Sequence, residues 1–436
     1  MASKTINYFL ELSTTFINLP STKVMFRMSS THFTRNKKLP FESVVLILLK
    51  GLRKSISMEL FTFLKSSNST LESISASAFV QQRKKINPDF FYKLNNHIAV
   101  DYYKDNDENV QLYKGHRVLA IDGSTINLPV SKELKQTYQL FNNQHKTNDV
   151  VLGRVSILYD VLNNIVLDGL LSKYEVGEIT LSKSHFTYAQ KNDLIIMDRG
   201  YPSFESAYLM GLKGINYLFR CKEDFSNVVK EFTSSCSKDA VVTIKSKQNK
   251  SFLGLEYNYK TEIKVRLLKI EIAVNEYEIL MTSLLDVENY PHNSFKELYF
   301  KRWSIETFYD RFKNIIGVEQ FSGTSEQFIQ QEFNCALYIS NIHTLFMQDA
   351  QKKCDAKYTT RKYDYKINSS LTLSVIRTEL LTLFLEKNST QKLLDKVELY
   401  FVKNVIPIRP NRKYERDINK YRQRTKPKQF ANRRVI

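Results

Sequence analysis

The segment DLIIMDRGYPSFESAYLMGLKG, residues 193–214, carries the pattern that decides the fold. Its four apolar residues LIIM predict a buried strand, which ends in a turn containing Asp198 and Gly200. A helix is predicted to start at Ser203, because serine caps helix N-termini and a largely apolar run follows it. A strand that leads through a turn into a helix is typical of an α/β protein with helices packed on a sheet.

A second segment, HRVLAIDGSTINLP at residues 116–129, repeats this arrangement earlier in the chain. The apolar run VLAI precedes Asp122, and Gly123 follows it. A carboxylate after a buried strand lies at the edge of a sheet, where binding and catalytic groups concentrate. One such aspartate is usually a turn or cap residue, whereas two in matching places, together with a third acid, predict a metal cluster.

The third acid lies in YFKRWSIETFYDRFK, residues 299–313, which also contains the only tryptophan of the chain. If this segment is one helix, residues at offsets of 0, 3, 7 and 14 project onto one face. That face carries a phenol, two bases and a carboxylate, while most of the aromatic residues point elsewhere and are available for core packing. The four residues of the face are Tyr299, Arg302, Glu306 and Lys313.

Three carboxylates suit the hydrolysis of a phosphodiester, in which two Mg²⁺ ions activate the attacking oxygen and stabilise the leaving one. Mg²⁺ prefers hard oxygen ligands, and Mn²⁺ is expected to substitute for it. We therefore predict that Asp122, Asp198 and Glu306 are the catalytic, metal-binding residues. Tyr299, Arg302 and Lys313 are predicted to hold DNA phosphates beside the metal ions. These six residues form the predicted active centre.

The charge of the chain points to a polyanionic partner, most often nucleic acid. Its 436 residues include 64 Lys and Arg against 45 Asp and Glu, a net charge of +19. From Arg409 to Arg434 there are 11 bases and 2 acids, so this tail is expected to meet DNA phosphates. The tail residues predicted to bind DNA are Arg412, Lys413, Arg422 and Arg424. Four cysteines without a Cys-x-x-Cys pair argue against a structural zinc site and fit a reducing cytoplasm.

The basic run that includes Arg83 and Lys84 has two interpretations. It is either a helix that lies along DNA or a solvated helix face, and the sequence does not separate them. Glu178 is close enough in sequence to approach the acidic site, but a solvated loop position is the favoured interpretation. Arg154, at the start of a predicted strand, is a weaker candidate for DNA contact. His185, like His116, is expected to be a hydrogen-bonded structural histidine, since two-metal sites require no histidine base.

The segments IDGSTINLP, IMDRGY and YFKRWSIETFYDRFK resemble the catalytic regions of bacterial insertion-sequence transposases of the DDE class. They are most similar to the branch with a Tyr-x2-Arg-x3-Glu-x6-Lys signature, insertion sequence family four. The resemblance implies a ribonuclease-H-like core, Mg²⁺ dependence and cut-and-paste transposition in which each end is cleaved through a DNA hairpin. It also implies that Tyr299 and Arg302 contact the terminal phosphate and that Trp303 stacks on a displaced base. From the residues alone, core packing of Trp303 is an equal alternative.

The predicted fold class is therefore α/β. A ribonuclease-H-like catalytic core is interrupted by a β-rich insertion, with an N-terminal helical domain and a helical C-terminal region. The predicted boundaries are 1–110 for the N-terminal helical domain, which binds DNA ends, 111–221 for the first part of the core, 222–292 for the insertion, 293–350 for the second part of the core, 351–408 for the helical C-terminal region and 409–436 for the basic tail.

The predicted function is a DNA transposase that cuts the ends of its element and joins them to target DNA. Its partners are double-stranded DNA, as terminal inverted repeats and target, and a second copy in a synaptic homodimer. The longest apolar run, VVLILL at residues 44–49, is too short for a membrane span. A bacterial cytoplasmic protein, associated with the nucleoid when bound to DNA, is expected. The alternatives are a catalytically silent DNA-binding protein derived from a transposase and a nuclease without strand transfer.

Overall fold

The computed structural model describes residues 4–35, 37–67, 74–106, 108–140, 149–252, 255–274, 276–386 and 390–409. The chain divides into two compact units. One consists of the described residues of Met1–Asn109, Asn127–Leu152 and Arg311–Ile436, and the other of Val110–Ile126 and Gly153–Asp310. Over the described ranges, no helix has the length and apolar character that crossing a membrane would require.

The N-terminal part of the first unit is helical, as its apolar periodicity predicts. The third helix shows the principle, because seven of its nine residues, from Phe41 to Leu49, are buried. The helices are α1 (Ile6–Asn18), α2 (Pro20–Phe26), α3 (Phe41–Leu49), α4 (Ile56–Ser66), α5 (Ala76–Arg83) and α6 (Asp89–Tyr102).

The rest of the first unit is organised around one long helix of 32 residues, which is buried along most of its length from Phe328 to Cys354. A helix with apolar residues on most sides is a core helix, and other helices pack around it. The elements are α7 (Lys132–Tyr138), a π-helix (Arg311–Ile315), α13 (Glu326–Lys357), α14 (Ser369–Leu385), α15 (Thr390–Lys403) and the short paired strands β11 (Tyr365–Ile367) and β12 (Val405–Pro407).

The second unit is built on a mixed sheet. Its sheet strands are β1 (Val118–Leu128), β2 (Val151–Asp160), β3 (Ile165–Lys173), β4 (Leu194–Met197), β5 (Asn216–Cys221), β6 (Asp239–Lys245), β9 (Glu262–Ala273) and β10 (Glu276–Thr282). A separate pair is formed by β7 (Lys250–Phe252) and β8 (Leu255–Tyr257). The helices are α8 (Glu178–Ser184), α9 (Phe204–Leu212), α10 (Asn227–Ser234), α11 (Ser294–Phe300) and α12 (Trp303–Asp310).

The eight strands of the sheet lie in the order β3-β2-β1-β4-β5-β10-β9-β6. Strand β4 runs parallel to both β1 and β5, and all four of its residues are buried. Strands covered on both faces read as continuous apolar runs, which explains LIIM and VLAI. Strands β2 and β3 pair antiparallel as a hairpin, and Asn164 in the turn between them has a φ of 58°.

The region predicted as a separate β-rich insertion, residues 222–292, instead extends this sheet. Strand β10 pairs antiparallel with β5, with Ile279 opposite Cys221, and β9 and β6 continue outward from it. The physical reason is that β5 would otherwise end the sheet with unpaired N–H and C=O groups, which attract a further strand. Only the short β7–β8 pair forms a sheet of its own among the described residues.

Candidate active site

Asp122 and Asp198 come together because β1 and β4 are neighbours in the sheet. Asp198 directly follows β4, but Asp122 lies within β1, which continues to Leu128, so the turn predicted at Gly123 is instead part of a strand. Strands β1 and β4 pair in parallel with Ala120 opposite Ile196. Continuing this register by two residues brings Asp122 level with Asp198. Adjacent strands lie about 4.8 Å apart, so both carboxylates are displayed at the same edge of the sheet.

Asp122 lies in a buried, acidic environment. Its Oδ1 accepts hydrogen bonds from the backbone N–H of Gly123 at 2.9 Å and from the Tyr201 hydroxyl at 3.3 Å. Burial is the main cause that raises the pKa of this carboxyl to about 6; the charges of Glu306 and Glu178 act in the same direction, and Gly123 and Arg302 in the opposite one. An acid among acids in a desolvated place is where a cation is most strongly attracted.

Asp198 is more exposed and has a basic neighbour. Its Oδ1 accepts hydrogen bonds from the Arg199 backbone N–H at 2.7 Å and from the Tyr299 hydroxyl at 3.2 Å. Arg220 on β5 places Nη1 at 3.7 Å from the same oxygen and pairs with Glu278 on β10 at 3.0 Å. The strands that extend the sheet thus supply residues to this edge.

The segment that carries the third acid is not the single helix predicted for residues 299–313. Tyr299 lies near the end of α11, and Arg302 lies in the turn that follows. Glu306 belongs to α12, and Lys313 lies in the π-helix. The turn at Lys301 and Arg302 separates the two α-helices, and the π-helix widens the last turn. The regular spacing of one α-helix therefore does not hold across the segment.

Arg302 is the residue that the three carboxylates have in common. Its Nη2 donates to Glu306 Oε1 at 2.8 Å, and its guanidinium also interacts electrostatically with Asp122 and Asp198. Burial lowers the pKa of Arg302, but Tyr299 and the carboxylates raise it overall above its ordinary value. A buried cation surrounded by acids in this way stays charged and draws them toward one point.

A second tie joins α12 to the strand of Asp122. The hydroxyl of Tyr309, three residues after Glu306, donates to the backbone carbonyl oxygen of Asp122 at 2.7 Å. Residues three apart lie on the same side of a helix, so this bond also directs Glu306 toward Asp122. Tyr309 is almost fully buried, and burial raises its pKa well above the ordinary value, so its proton stays available for the bond.

The donor chemistry of these residues fits a divalent cation. Asp122, Asp198 and Glu306 offer only oxygen, which Mg²⁺ and Mn²⁺ favour. Within the described residues, however, no three His, Cys, Asp or Glu side chains are already arranged to hold a metal ion. Asp198 and Glu306 instead contact Tyr299 and Arg302, so cation binding requires these two carboxylates to turn from these partners.

The remaining residues of the signature segment divide between surface and interior. Trp303 and Phe300 are exposed, at 43% and 67%, while Phe308 and Phe312 are buried. The Arg302 guanidinium lies 5.2 Å from the centre of the Trp303 ring, so the indole is not a core side chain but an exposed face beside a cation. Lys313 belongs to the first unit, and burial lowers its pKa while Glu319 partly offsets the effect.

Arg83 and Lys84 have different surroundings. Arg83 is 1% exposed and donates to Gln331 Oε1 at 2.7 Å and to Glu332 Oε1 at 2.9 Å, so its charge is used inside the first unit. This corrects the expectation that α5 presents it to DNA or to solvent. Lys84 is exposed. The tail residues Arg412, Lys413, Arg422 and Arg424 lie outside the described residues.

The two histidines singled out from the sequence are buried and hydrogen-bonded. His116 contacts the Asn192 carbonyl oxygen at 2.6 Å and the Tyr290 hydroxyl at 2.7 Å. His185 lies between Asp168 Oδ2 at 2.7 Å and Ser156 Oγ at 2.9 Å, and all three side chains are inaccessible to solvent. Their contacts are those of structural histidines, as predicted.

Several residues around the carboxylates gave no signal of their own in the sequence. Tyr201 lies in the quoted DRGY motif, and its position three residues after Asp198 could have drawn attention to it. Arg220, Glu278 and Tyr309 lie on separate elements, so only the fold brings them to the site.

A family model described as the transposase DDE domain matches residues 113–342 of this chain. No curated protein matches it. A comparison with solved structures matches the chain to the cryo-EM structure of the piggyBac transposase synaptic complex with hairpin DNA, whose sequence is 9% identical. The match covers 95% of this chain and 89% of that chain, with a TM-score of 0.44. Because the family model spans more than half of its residues, the chain belongs to the transposase DDE domain family.

Proposed function

We propose that this protein is a DNA transposase that cuts the ends of its element and transfers them to target DNA. The observation that carries the proposal is that Arg302, paired with Glu306 at 2.8 Å, also interacts electrostatically with Asp122 and Asp198. Three acids from a strand, a turn and a helix have no structural need to meet a buried arginine at a sheet edge. A phosphodiester-cleaving centre needs such a group of carboxylates.

We further propose that the core is ribonuclease-H-like and that the chain belongs to the insertion-sequence branch with the Tyr-x2-Arg-x3-Glu-x6-Lys signature. The unbroken match of Tyr299, Arg302, Glu306 and Lys313 to that signature supports this. The branch cleaves its ends through a hairpin, and the same route is proposed here.

The proposed metal ligands are Asp122, Asp198 and Glu306, which would hold two Mg²⁺ or Mn²⁺ ions. When bound, these ions supply charge stabilisation for the attacking and leaving oxygens. The residues of the chain position the DNA. Tyr299 and Arg302 turn from Asp198 and Glu306 to the scissile phosphate, where a guanidinium binds two oxygens at once.

The state of the Arg302 side chain supports this role. Its Nε is buried and makes no hydrogen bond to any residue in the described part of the chain. A buried donor without a partner is unfavourable by about 1–3 kcal/mol, so a phosphate oxygen that satisfies it gains that amount. Binding energy is thereby directed to the phosphate next to the carboxylates.

DNA binding away from the centre is proposed to rely on phosphate contacts and one stacking surface. Trp303, exposed beside Arg302, is proposed to stack on a base displaced from the duplex end, which offsets the cost of unstacking. Lys84, Lys313 and the tail bases would hold phosphates, so affinity should fall steeply with added salt. Two copies acting on two ends are proposed for the synaptic complex.

The test uses the DNA that flanks the gene. Purified protein with Mg²⁺ is mixed with a duplex that carries the terminal inverted repeats, and cut and joined products are resolved on a denaturing gel. Hairpin ends followed by joining to a target plasmid support the proposal. Cutting without joining favours a nuclease, and binding without cutting favours a silent DNA-binding protein.

A further inference from the structure

A chain of three side chains leads from the β2 strand to the carboxylate of Asp122. The Tyr201 hydroxyl lies 3.3 Å from Asp122 Oδ1 and 3.4 Å from Glu178 Oε2. The other oxygen of Glu178, Oε1, is paired with Arg154 Nη1. Arg154 is in turn fixed by a bond of 2.9 Å from its Nε to the Tyr174 carbonyl oxygen and by its packing on the Tyr174 ring.

The hydroxyl of Tyr201 cannot serve both carboxylates at once. A phenol has one proton to donate, and each ionised carboxylate can only accept. Tyr201 is 4% exposed, so bulk water has little access to take the place of the missing donor. Because Arg154 already compensates the charge of Glu178, the Tyr201 proton is left for Asp122.

The backbone next to Asp122 is shaped for this arrangement. A Cβ atom added at Gly123 would lie 2.9 Å from Glu178 Cδ and 3.0 Å from Glu178 Cγ. A side chain at this position of β1 would therefore require the Glu178 carboxylate to shift. Glu178 is thus not simply the solvated loop acid that the sequence favours, although its side chain remains partly exposed at 42%.

We propose that Glu178 is a positioning residue, which, held by Arg154 and acting through Tyr201, fixes the orientation of Asp122 Oδ1 for a divalent cation. The inference rests on the proposed function, because it concerns the same carboxylate. It adds Arg154, Glu178, Tyr201 and Gly123 to the residues on which that function depends. Contacts of this kind behind a metal ligand usually change metal affinity by about 10–100-fold when removed.

The first experiment asks whether the contacts are real, without reference to activity. Urea unfolding of the full chain in EDTA is measured for Glu178→Gln, Tyr201→Phe and the double variant. If Glu178 acts through Tyr201, the double variant changes the unfolding equilibrium constant by a factor that differs from the product of the two single effects. Glu175→Gln, a change to an exposed acid three residues away, is the matched control and should multiply independently with Tyr201→Phe.

A second pair of variants tests the close approach of Glu178 to Gly123. Gly123→Ala introduces a methyl group where Glu178 packs, so it should destabilise the wild-type chain and displace the carboxylate. In a Glu178→Ala background the space is free, and the same methyl group should have a smaller effect on the unfolding constant. Equal effects in both backgrounds would overturn the packing on which the inference depends.

The functional arm measures Mn²⁺ binding by the loss of its free-ion EPR signal on adding the full chain. Glu178→Gln and Tyr201→Phe should each raise the dissociation constant on the order of 10-fold, and the double variant no further. Glu178→Asp keeps the charge but withdraws it from Tyr201, so it should also weaken binding. If Glu178→Gln binds Mn²⁺ as tightly as the wild type, a positioning role is overturned. The same holds if Glu178→Asp alone binds Mn²⁺ as tightly as the wild type.

The two proposals fail in different ways. If the wild-type protein binds Mn²⁺ and the Glu178 and Tyr201 variants bind it equally tightly, the positioning inference fails and the proposed function stands. If wild-type protein neither binds Mn²⁺ nor cuts its end DNA, the proposed function fails and with it the role of Glu178. Absence of coupling in unfolding rejects the inference whatever the activity.

Discussion

Asp122 and Asp198 follow the same pattern in the sequence, yet their surroundings in the fold differ. Each follows four apolar residues, and a glycine comes one or two residues later. Asp122 is enclosed by a phenol and two further acids, and burial together with the charges of these acids raises its pKa to about 6. Asp198 has a side chain that is 37% exposed and lies beside Arg220.

The difference comes from the positions of their strands. Strand β1 lies between β2 and β4, so Asp122 is covered by residues from the β2–β3 side of the sheet, including the α8 residue Glu178. Strand β4 has β5 as its other neighbour, and β5 supplies a base. One local pattern can thus display an acid where negative charge accumulates or where it is compensated, and only the strand order decides which.

The largest expected effect removes each carboxylate in turn. Asp122→Asn, Asp198→Asn and Glu306→Gln should each lower cleavage of end DNA by about 10³-fold or more, because each removes a charged oxygen ligand. Gel-shift binding of the same duplex should be retained. If Asp198→Asn cuts normally, the two aspartates are not equivalent in the chemistry and Asp198 leaves the proposed centre.

The Asp122→Asn and Asp198→Asn variants should have different effects on stability. In EDTA at pH 7, Asp122→Asn should raise the free energy of unfolding by on the order of 1–3 kcal/mol, because the buried charge is removed. The folded state binds the Asp122 proton more readily than the unfolded state, so the gain should grow as pH rises from about 4 to about 6 and vanish in acid.

Asp198→Asn serves as the comparison for this effect. It should bring no such gain, since the change removes an acid with a neighbouring base, an exposed pair whose loss costs less than about 1 kcal/mol. Urea titrations of both variants across this pH range make the measurement. Equal stabilisation by the two variants would show that the contrast between the sites is wrong.

A third experiment changes the base beside Asp198. Arg220→Gln should lower cleavage by about 10-fold, as expected for a residue that orients a metal ligand from behind. Arg220→Lys keeps the charge and should recover part of the loss. A wild-type rate in Arg220→Gln would remove Arg220 from the site.

The smallest expected effect concerns the phenol on Asp198. Tyr299→Phe deletes the hydroxyl that donates to Asp198 Oδ1 at 3.2 Å and should lower cleavage roughly 5-fold, the equivalent of one neutral hydrogen bond. Single-turnover rates at saturating DNA separate this effect from weaker binding. A loss as large as that of Asp198→Asn would mean that the Tyr299 hydroxyl contributes as much to cleavage as a metal ligand does.

The sequence identified the residues that carry a local signal and missed those that meet only through the fold. Asp122 and Asp198 were predicted because a buried strand followed by an acid is a local signal. The antiparallel pairing of β10 with β5, which brings Glu278 to Arg220, was not predictable, since pairing partners are set by edges formed far away in the chain.

Arg83 shows the same limit for a charged side chain. Its neighbours in sequence are polar and basic, so the local pattern indicates a surface. Its hydrogen-bond partners Gln331 and Glu332 lie about 250 residues later on α13, and their side chains allow a guanidinium to be buried. The irregular helix at residues 299–313 was likewise hidden, because a turn and a π-helix preserve most of the helical spacing.

The buried contact of Ser156, His185 and Asp168 has a consequence of its own. In the sequence of their contacts, serine to histidine to aspartate, and in their distances, these groups match the arrangement by which serine hydrolases activate a nucleophile. All three are sealed from solvent, so no ester can reach the serine oxygen. A fluorophosphonate probe should therefore leave the folded protein unlabelled, and a search for enzymes by triad geometry alone would assign this chain to the wrong class.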